Sequence, residues 1–487
     1  MAAPVAAYPE LRCSGCDAIV RGDAEDPWRC PSARPGDARD HVLVPEPSTG
    51  LTRFLDALHT QPFSRYRELL WTYRLARARG IADLDWTVMV EGLDRAVARV
   101  DGRGFRVTPF GLQPALATAL GLPGGSVWVK DETGNVAGSH KARHLFGLAL
   151  ALEVRERTGL ADPSERAHRE LAIASCGNAA LAAAVVARAA GRPLRVFIPE
   201  DANPRVTERL RDLHAKIEVC VRRPGESGDP CVASFRRARD KGATPFCVQG
   251  NENGLTIEGG ETLAFEMAEG FAYAGAAPDR LFLQTGGGAL ASSTVAGLRI
   301  AVEHGVIPAL PRLHVVQTTG ALPFRRAWER LAARVLHGSE DQARALPGSS
   351  TALGDAASAE SDRAQAEALR EPSRAGEVRA ALAYARAHRD RFMWPWEHTP
   401  HSVAHGILDD ETYDWAAVLE GTVASGGWPI TVSESRLTAA PLTARTTTGI
   451  AADATGAAGL AGLEELARTG AIAPHERVVV VLSGVQR

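Results

Sequence analysis

The chain contains four lysines, Lys130, Lys141, Lys216 and Lys241, while its other permanently charged cations are arginines. An ammonium can lose its proton when desolvated and then attack a carbonyl; a guanidinium effectively cannot. Lys141 is the lysine best placed for that work. It lies in the stretch that opens Lys130-Asp131-Glu132-Thr133-Gly134-Asn135 and runs through Ser139-His140-Lys141 to Arg143, following the apolar run Val127–Val129. A helical pattern then begins, with Leu145, Leu148, Ala149 and Leu152 on one face. The plain alternative is an exposed lysine at a helix start.

Two further stretches sit where an apolar run gives way to a helical pattern. In Ser175-Cys176-Gly177-Asn178-Ala179-Ala180 the backbone N–H groups of a helix start can hold a carboxylate, and glycine permits close approach. Cys176 reads most simply as a small buried residue. In Gln284-Thr285-Gly286-Gly287-Gly288-Ala289-Leu290, three consecutive glycines allow backbone amides to wrap a phosphate. The spacing does not meet the dinucleotide fingerprint, and a tight turn would use the same residues.

These stretches need a scaffold that presents strand ends. Leu171–Ala174, Leu194–Ile198, Lys216–Val221, Leu281–Leu283, His314–Gln317 and Val478–Leu482 read as strands, and Asn178–Ala190, Arg205–His214 and Ala291–Glu303 read as helices between them. Alternation of this kind predicts an α/β fold, with open parallel sheets covered by helices on both faces and ligand loops at the carboxyl ends of strands. An earlier helix is expected over Arg65–Arg79, after a linker at 45–60. The pattern breaks at about 321–392, where Ser349-Ser350-Thr351 and arginine-rich helical stretches suggest a surface insertion.

Cys13, Cys16 and Cys30 crowd into the first thirty residues, in a lobe spanning about 1–44. Cys13-Ser14-Gly15-Cys16 has the gap of a zinc knuckle, and His41 is the candidate fourth ligand. A degenerate cluster without metal is the other reading.

Lys130-Asp131-Glu132 followed by Ser139-His140-Lys141 resembles the lysine motif of the fold-type II pyridoxal phosphate (PLP) enzymes. These include threonine synthase, the serine and threonine dehydratases, cysteine synthase and the tryptophan synthase β subunit. The Lys-Asp-Glu-Thr opening is most like threonine synthase, and the histidine before the lysine is more like the tryptophan synthase β subunit. The order of parts also agrees: lysine, then Ser-x-Gly-Asn, then a glycine loop, then a strand-end hydroxyl. The resemblance covers roughly 100–320 and 420–487. It implies a catalytic domain over 60–487, with a mobile subdomain at about 150–260.

The resemblance further implies that Lys141 forms the Schiff base with PLP. Ser175, Gly177, Asn178 and Ala179 would grip the substrate carboxylate, and Asn178 would also bond the cofactor's phenolic oxygen. Gly286, Gly287, Gly288, Ala289 and Leu290 would hold the cofactor phosphate, and Ser483 would face the pyridine nitrogen. His140 would touch the phosphate or pack behind the lysine helix. A hydroxyl partner makes the ring a weaker electron sink than a carboxylate does, which favours elimination or replacement at Cβ or Cγ over transamination. The expected activity is threonine synthase-like, with a serine/threonine ammonia lyase as the alternative. Threonine synthase needs a second anion site, for which Arg143, Arg205 and Arg209 are candidates. A small cysteine-bearing extension also precedes the catalytic domain in some threonine synthase-like proteins.

Composition narrows the field. With 487 residues, a net charge of −3 and 45% hydrophobic residues, the chain has the make-up of a globular protein with a large core and no basic excess for nucleic acid. No run of about 20 apolar residues suggests a membrane span. Met1-Ala2-Ala3-Pro4-Val5 lacks a secretory pattern, and seven scattered cysteines fit a reducing compartment, so a cytoplasmic homodimer is expected. A PLP-binding subunit without turnover, serving as regulator or scaffold, is the reading from another class. The run Asp409-Asp410-Glu411 suggests either an acidic helix start, a solvated loop or a metal site.

Overall fold

The computed structural model describes residues 8–34, 36–46, 54–223, 228–344, 346, 356–398 and 400–485. Pro47 and Ser48 of the expected linker, and Ser349, Ser350 and Thr351, lie outside them. The chain divides into two compact units: Met1–Val107 with Asn135–Leu263, and Thr108–Gly134 with Ala264–Arg487.

The first unit opens with a small antiparallel sheet in the order Ile19–Arg21, Glu10–Cys13, Leu43–Pro45. Its larger sheet is parallel, in the order Lys216–Cys220, Leu194–Pro199, Leu171–Ala174, Thr244–Pro245. The helix Asn178–Ala189 is buried on every side over Ala179–Ala187, as an all-apolar helix must be. It packs on the helix Lys141–Arg157. The expected helix Arg65–Arg79 is interrupted: Pro62–Arg65 is helical, Arg67–Leu69 is a 3₁₀ turn, and Trp71–Ala78 resumes after Leu70 adopts an extended backbone. Fully buried Tyr66, Leu70 and Trp71 account for the break, because packing outweighs the modest helix preference of a short segment.

The lysine helix is fixed by a backbone crossing. A methyl group on Gly147 would lie 2.9 Å from Gly259 Cα, and one on Gly259 would overlap the Arg143 carbonyl. Nothing larger than hydrogen fits between them.

The second unit holds a six-stranded sheet in the order Ile430–Val432, Arg312–Thr318, Arg280–Gln284, Val478–Leu482, Val127–Asp131, Phe110–Leu112. All pairs are parallel except the last. The central strands Arg280–Gln284 and Val478–Leu482 are buried along their whole length, which explains their continuous apolar runs. Within the stretch 321–392 the helix Pro323–His337 belongs to the core, with Phe324, Ala327, Trp328 and Leu331 fully buried. Exposed residues begin at the end of that helix, with His337, and recur at Asp341, Arg370 and Glu371.

Lys130 is structural. Its ammonium is fully buried, donates to the Thr108 carbonyl at 2.8 Å and pairs with Glu266. Glu132, also buried, accepts from the Thr108 hydroxyl.

Two stability measurements check this framework. Gly259→Ala should lower unfolding free energy by about 1–3 kcal/mol through overpacking, whereas Gly376→Ala, in open space at an exposed helix position, should be neutral or slightly stabilising. Lys130→Met should cost about 3–5 kcal/mol by leaving Glu266 buried without its cation; a change under 1 kcal/mol in urea melts would show the pair to be dispensable.

Candidate active site

Lys141 is the first residue of the helix Lys141–Arg157, as expected, and His140 at the cap makes no side-chain capping bond. The turn before it is strained. Ala137 adopts φ +52°, in the left-handed region that costs a non-glycine residue roughly 1–2 kcal/mol. Its N–H donates to Asp101 Oδ2 at 3.0 Å, and Asn135 closes the turn by accepting from the Val136 N–H at 2.8 Å. Asp101 therefore helps set where the lysine helix begins, a role that its distance in sequence concealed.

Around Lys141, itself half-buried, His140 and His144 are buried with ring centroids 5.9 Å apart. Burial, reinforced by the Lys141 charge, holds His140 well below the ordinary histidine range and brings His144 down to about 3. His144 Nδ1 lies 3.0 Å from the Thr256 carbonyl, which assigns the proton to that nitrogen. Its Nε2 is then an acceptor, buried without a partner, as is the Ser139 hydroxyl.

The Ser-x-Gly-Asn loop lies where the strand Leu171–Ala174 ends and the helix Asn178–Ala189 begins. The Ser175 N–H donates to Phe197 O at 3.2 Å, and the Gly177 N–H donates to Ser175 Oγ at 3.4 Å. Gly177 caps the helix without a side chain, so the first-turn amides of residues such as Ala179 are addressed by no capping group. Cys176 is half-exposed instead of buried.

In the second unit the glycine loop and Ser483 come together. The strands Arg280–Gln284 and Val478–Leu482 are parallel neighbours, with Phe282 beside Val480, so both loops emerge from the same edge of the sheet. Gly288 takes φ +95° at the cap of the helix Ala289–Glu303, again with no side-chain cap before Ala289 and Leu290. Ser483 is buried, and its N–H donates to Gly456 O at 3.2 Å.

The glycines have a second cause that the sequence did not reveal. A methyl group on Gly286 would overlap the Asp409 carboxylate and lie 2.7 Å from Ile407 Cα, and one on Gly287 would lie 2.9 Å from the Tyr413 ring. The Asp414 N–H donates to Gly287 O at 2.9 Å, and Ser292 donates to Asp414 at 2.8 Å. Residues 407–414 thus brace the loop. The acidic run is neither a helix start nor a metal cluster among the described residues: Glu411 pairs with Arg389, and the next helix begins at Trp415.

The candidate arginines do not converge. Arg143 is fully buried and donates to Thr262 at 3.0 Å, whereas Arg205 and Arg209 are exposed on the helix Pro204–Asp212. Cys13, Cys16, Cys30 and His41 do converge, with one ligand atom from each lying within 4.8 Å of the others.

These features fit pyridoxal phosphate. A glycine loop that excludes every Cβ, at the start of a 15-residue helix, suits a phosphate. In the first unit a primary amine lies beside two neutral histidines, and in the second a buried strand-end hydroxyl accompanies the glycine loop; each suits a part of that cofactor.

A family profile described as "Pyridoxal-phosphate dependent enzyme" matches residues 103–393. A mouse protein named serine dehydratase-like is 29% identical over 223 residues, covering 46% of this chain and 59% of that one. Threonine synthase of Methanosarcina acetivorans is 26% identical over 223 residues, covering 45% and 49%. The chain therefore spans about half the length of these relatives. Among solved structures, diaminopropionate ammonia lyase from Escherichia coli, in complex with an aminoacrylate-PLP azomethine intermediate, matches with TM-score 0.55 and 17% identity over 82% of this chain and 89% of that one. That likeness supports the fold.

The buried histidines set a pH dependence. Folded His144 stays neutral down to about 3, while in the unfolded chain it takes a proton near pH 6.5. The unfolded state then binds more protons, so stability falls as pH drops below about 6.5, by up to about 1.4 kcal/mol per pH unit per site. Denaturant melts from pH 7.5 to 5.5 should show this loss and a shallower one in His144→Gln. Equal slopes would mean that His144 is not held neutral.

Proposed function

Because the chain belongs to the pyridoxal-phosphate dependent enzyme family, we propose that it is a lyase that eliminates water from a small hydroxy-amino acid, serine or threonine, the resulting enamine tautomerising to an imine that water hydrolyses to a 2-oxo acid and ammonia. When bound, the cofactor supplies an electron sink for the carbanion formed at Cα. Lys141 Nζ is the base that removes the Cα proton, and it returns a proton in completing the turnover. The amides at the start of the helix Asn178–Ala189, with Ser175 and Asn178, orient the substrate carboxylate. Gly286, Gly287, Gly288, Ala289 and Leu290 hold the cofactor phosphate, and the Ser483 hydroxyl faces the ring nitrogen. Neutral His140 and His144 pack behind the lysine and keep additional positive charge from it.

The observation that favours a lyase over a threonine synthase is the failure of Arg143, Arg205 and Arg209 to converge, since a substrate phosphate needs a second anion site. The serine dehydratase-like relatives support the same choice. The threonine synthase reading retains the Lys130-Asp131-Glu132-Thr133 stretch, but Lys130 and Glu132 are bonded within the core. In this reading the protein acts as a cytoplasmic homodimer on a free amino acid. Zinc in the amino-terminal lobe has a structural part only.

The test is a panel of serine, threonine, O-phosphohomoserine and diaminopropionate, read by release of ammonia and 2-oxo acid and, for O-phosphohomoserine, by release of phosphate with formation of threonine. Borohydride should fix the cofactor on Lys141 by peptide mapping, and Lys141→Ala should lose about 10³-fold or more of turnover. Turnover of O-phosphohomoserine alone would restore threonine synthase. Cofactor bound to Lys141 with no turnover of any substrate would leave a binding subunit.

A further inference from the structure

The amino-terminal lobe is too small to hold itself by burial. Between Tyr8 and Glu46 its buried apolar residues are Leu11, Cys13, Val20, Cys30 and Leu43. Domains of about 40 residues or fewer usually need a disulfide or a metal. None of the seven cysteines is in a disulfide.

We propose that Cys13 Sγ, Cys16 Sγ, Cys30 Sγ and His41 Nδ1 hold one zinc ion, and that this ion locks the loop into which the far end of the lysine helix is anchored. Tetrahedral zinc with Zn–S near 2.3 Å places its ligand atoms about 3.8 Å apart. Cys16 Sγ and Cys30 Sγ are 3.6 Å apart, as are Cys13 Sγ and His41 Nδ1. The sulfur separation is far beyond the roughly 2.05 Å of a disulfide. His41 Nε2 lies 3.0 Å from Asp37, which leaves Nδ1 for the metal and gives the carboxylate–histidine arrangement that orients zinc ligands.

The backbone is built around this point. Cys13 ends the central strand and its N–H donates to Ala18 O at 2.9 Å, folding the knuckle. The Ser14 N–H donates to Val42 O at 2.9 Å, which draws the His41 segment across it. Gly15 lies so close to the Asp40 carbonyl that any side chain would overlap it.

The lobe then grips the lysine helix. Arg155, in its last turn and buried, donates to the carbonyls of Ala24 at 2.8 Å and Glu25 at 2.7 Å, both between Cys16 and Cys30. Gly254 meets the Leu43 carbonyl, two residues beyond His41. With zinc bound, the 16–30 loop is closed at both ends, so its carbonyls stay in register for Arg155.

The site is independent of the catalytic reading and is measured separately from cofactor content. Purified protein should contain one zinc per chain by metal analysis. Titrating the folded protein with a mercurial should release that zinc as three thiols react. Replacement by cobalt should give the visible bands of a tetrahedral thiolate site. Chelation should lower Tm by about 5 °C or more, and Arg155→Met should lower Tm while keeping the zinc. Cys16→Ser should lose the metal; if that variant does not fold, the mercurial titration decides. Zinc well below one per chain with no uptake by reduced protein, or a Cys16–Cys30 disulfide in peptide maps, would overturn the proposal. Full zinc with an unchanged Tm after chelation would overturn the locking role.

Discussion

Main chain meeting main chain, at points where only a hydrogen can stand, positions three of the candidate functional groups in this protein. Gly259 against the Arg143 carbonyl fixes the first turns of the lysine helix, and Gly15 against Asp40 fixes the cysteine knuckle. Gly456 meets the carbonyl of Ser483 and so places the strand-end hydroxyl. Such contacts leave no slack of the kind a rotatable side chain provides, and interiors packed this densely transmit displacement instead of absorbing it. The chemistry is thereby held by the scaffold and not by the loops alone.

Polar groups inside that scaffold divide into those that build and those that remain available. Lys130 with Glu266 and Arg143 with Thr262 are spent on structure. The Ser139 hydroxyl and His144 Nε2, buried without partners, are costly in the protein alone, of order 1–3 kcal/mol each, and so belong where a ligand can repay them. Their proximity in sequence to Lys141 agrees with the role assigned to that lysine.

Much of the fold was legible because its signals are local. Val478–Leu482 and Leu171–Ala174 are unbroken apolar runs, and the Gly286–Gly288 loop lies just beyond such a run, so strand, loop and helix follow from composition and spacing. The cysteine cluster was legible by its knuckle, and His41 lies beside it. What escaped notice depends on distant partners. Nothing near Gly286 announces that Asp409 will press against it, and nothing near Ala137 announces Asp101. The helix expected over Arg65–Arg79 broke because Tyr66 and Leu70 are pulled into the core, and 321–392 looked superficial because arginines such as Arg325 disguise a helix that buries Phe324 and Trp328. Arg325 itself is buried on Asp362, a pairing that hydropathy alone reads as solvent.

The grip of Arg155 on the amino-terminal lobe is made to carbonyl oxygens, of Gly22, Ala24 and Glu25, and among the described residues to no carboxylate. Every residue type carries that oxygen. Substitutions along the surface of the 22–29 loop can therefore accumulate without loosening the joint, provided the course of the chain is kept. Relatives of this protein should accordingly vary freely in the residues there while preserving the arginine and the loop's length.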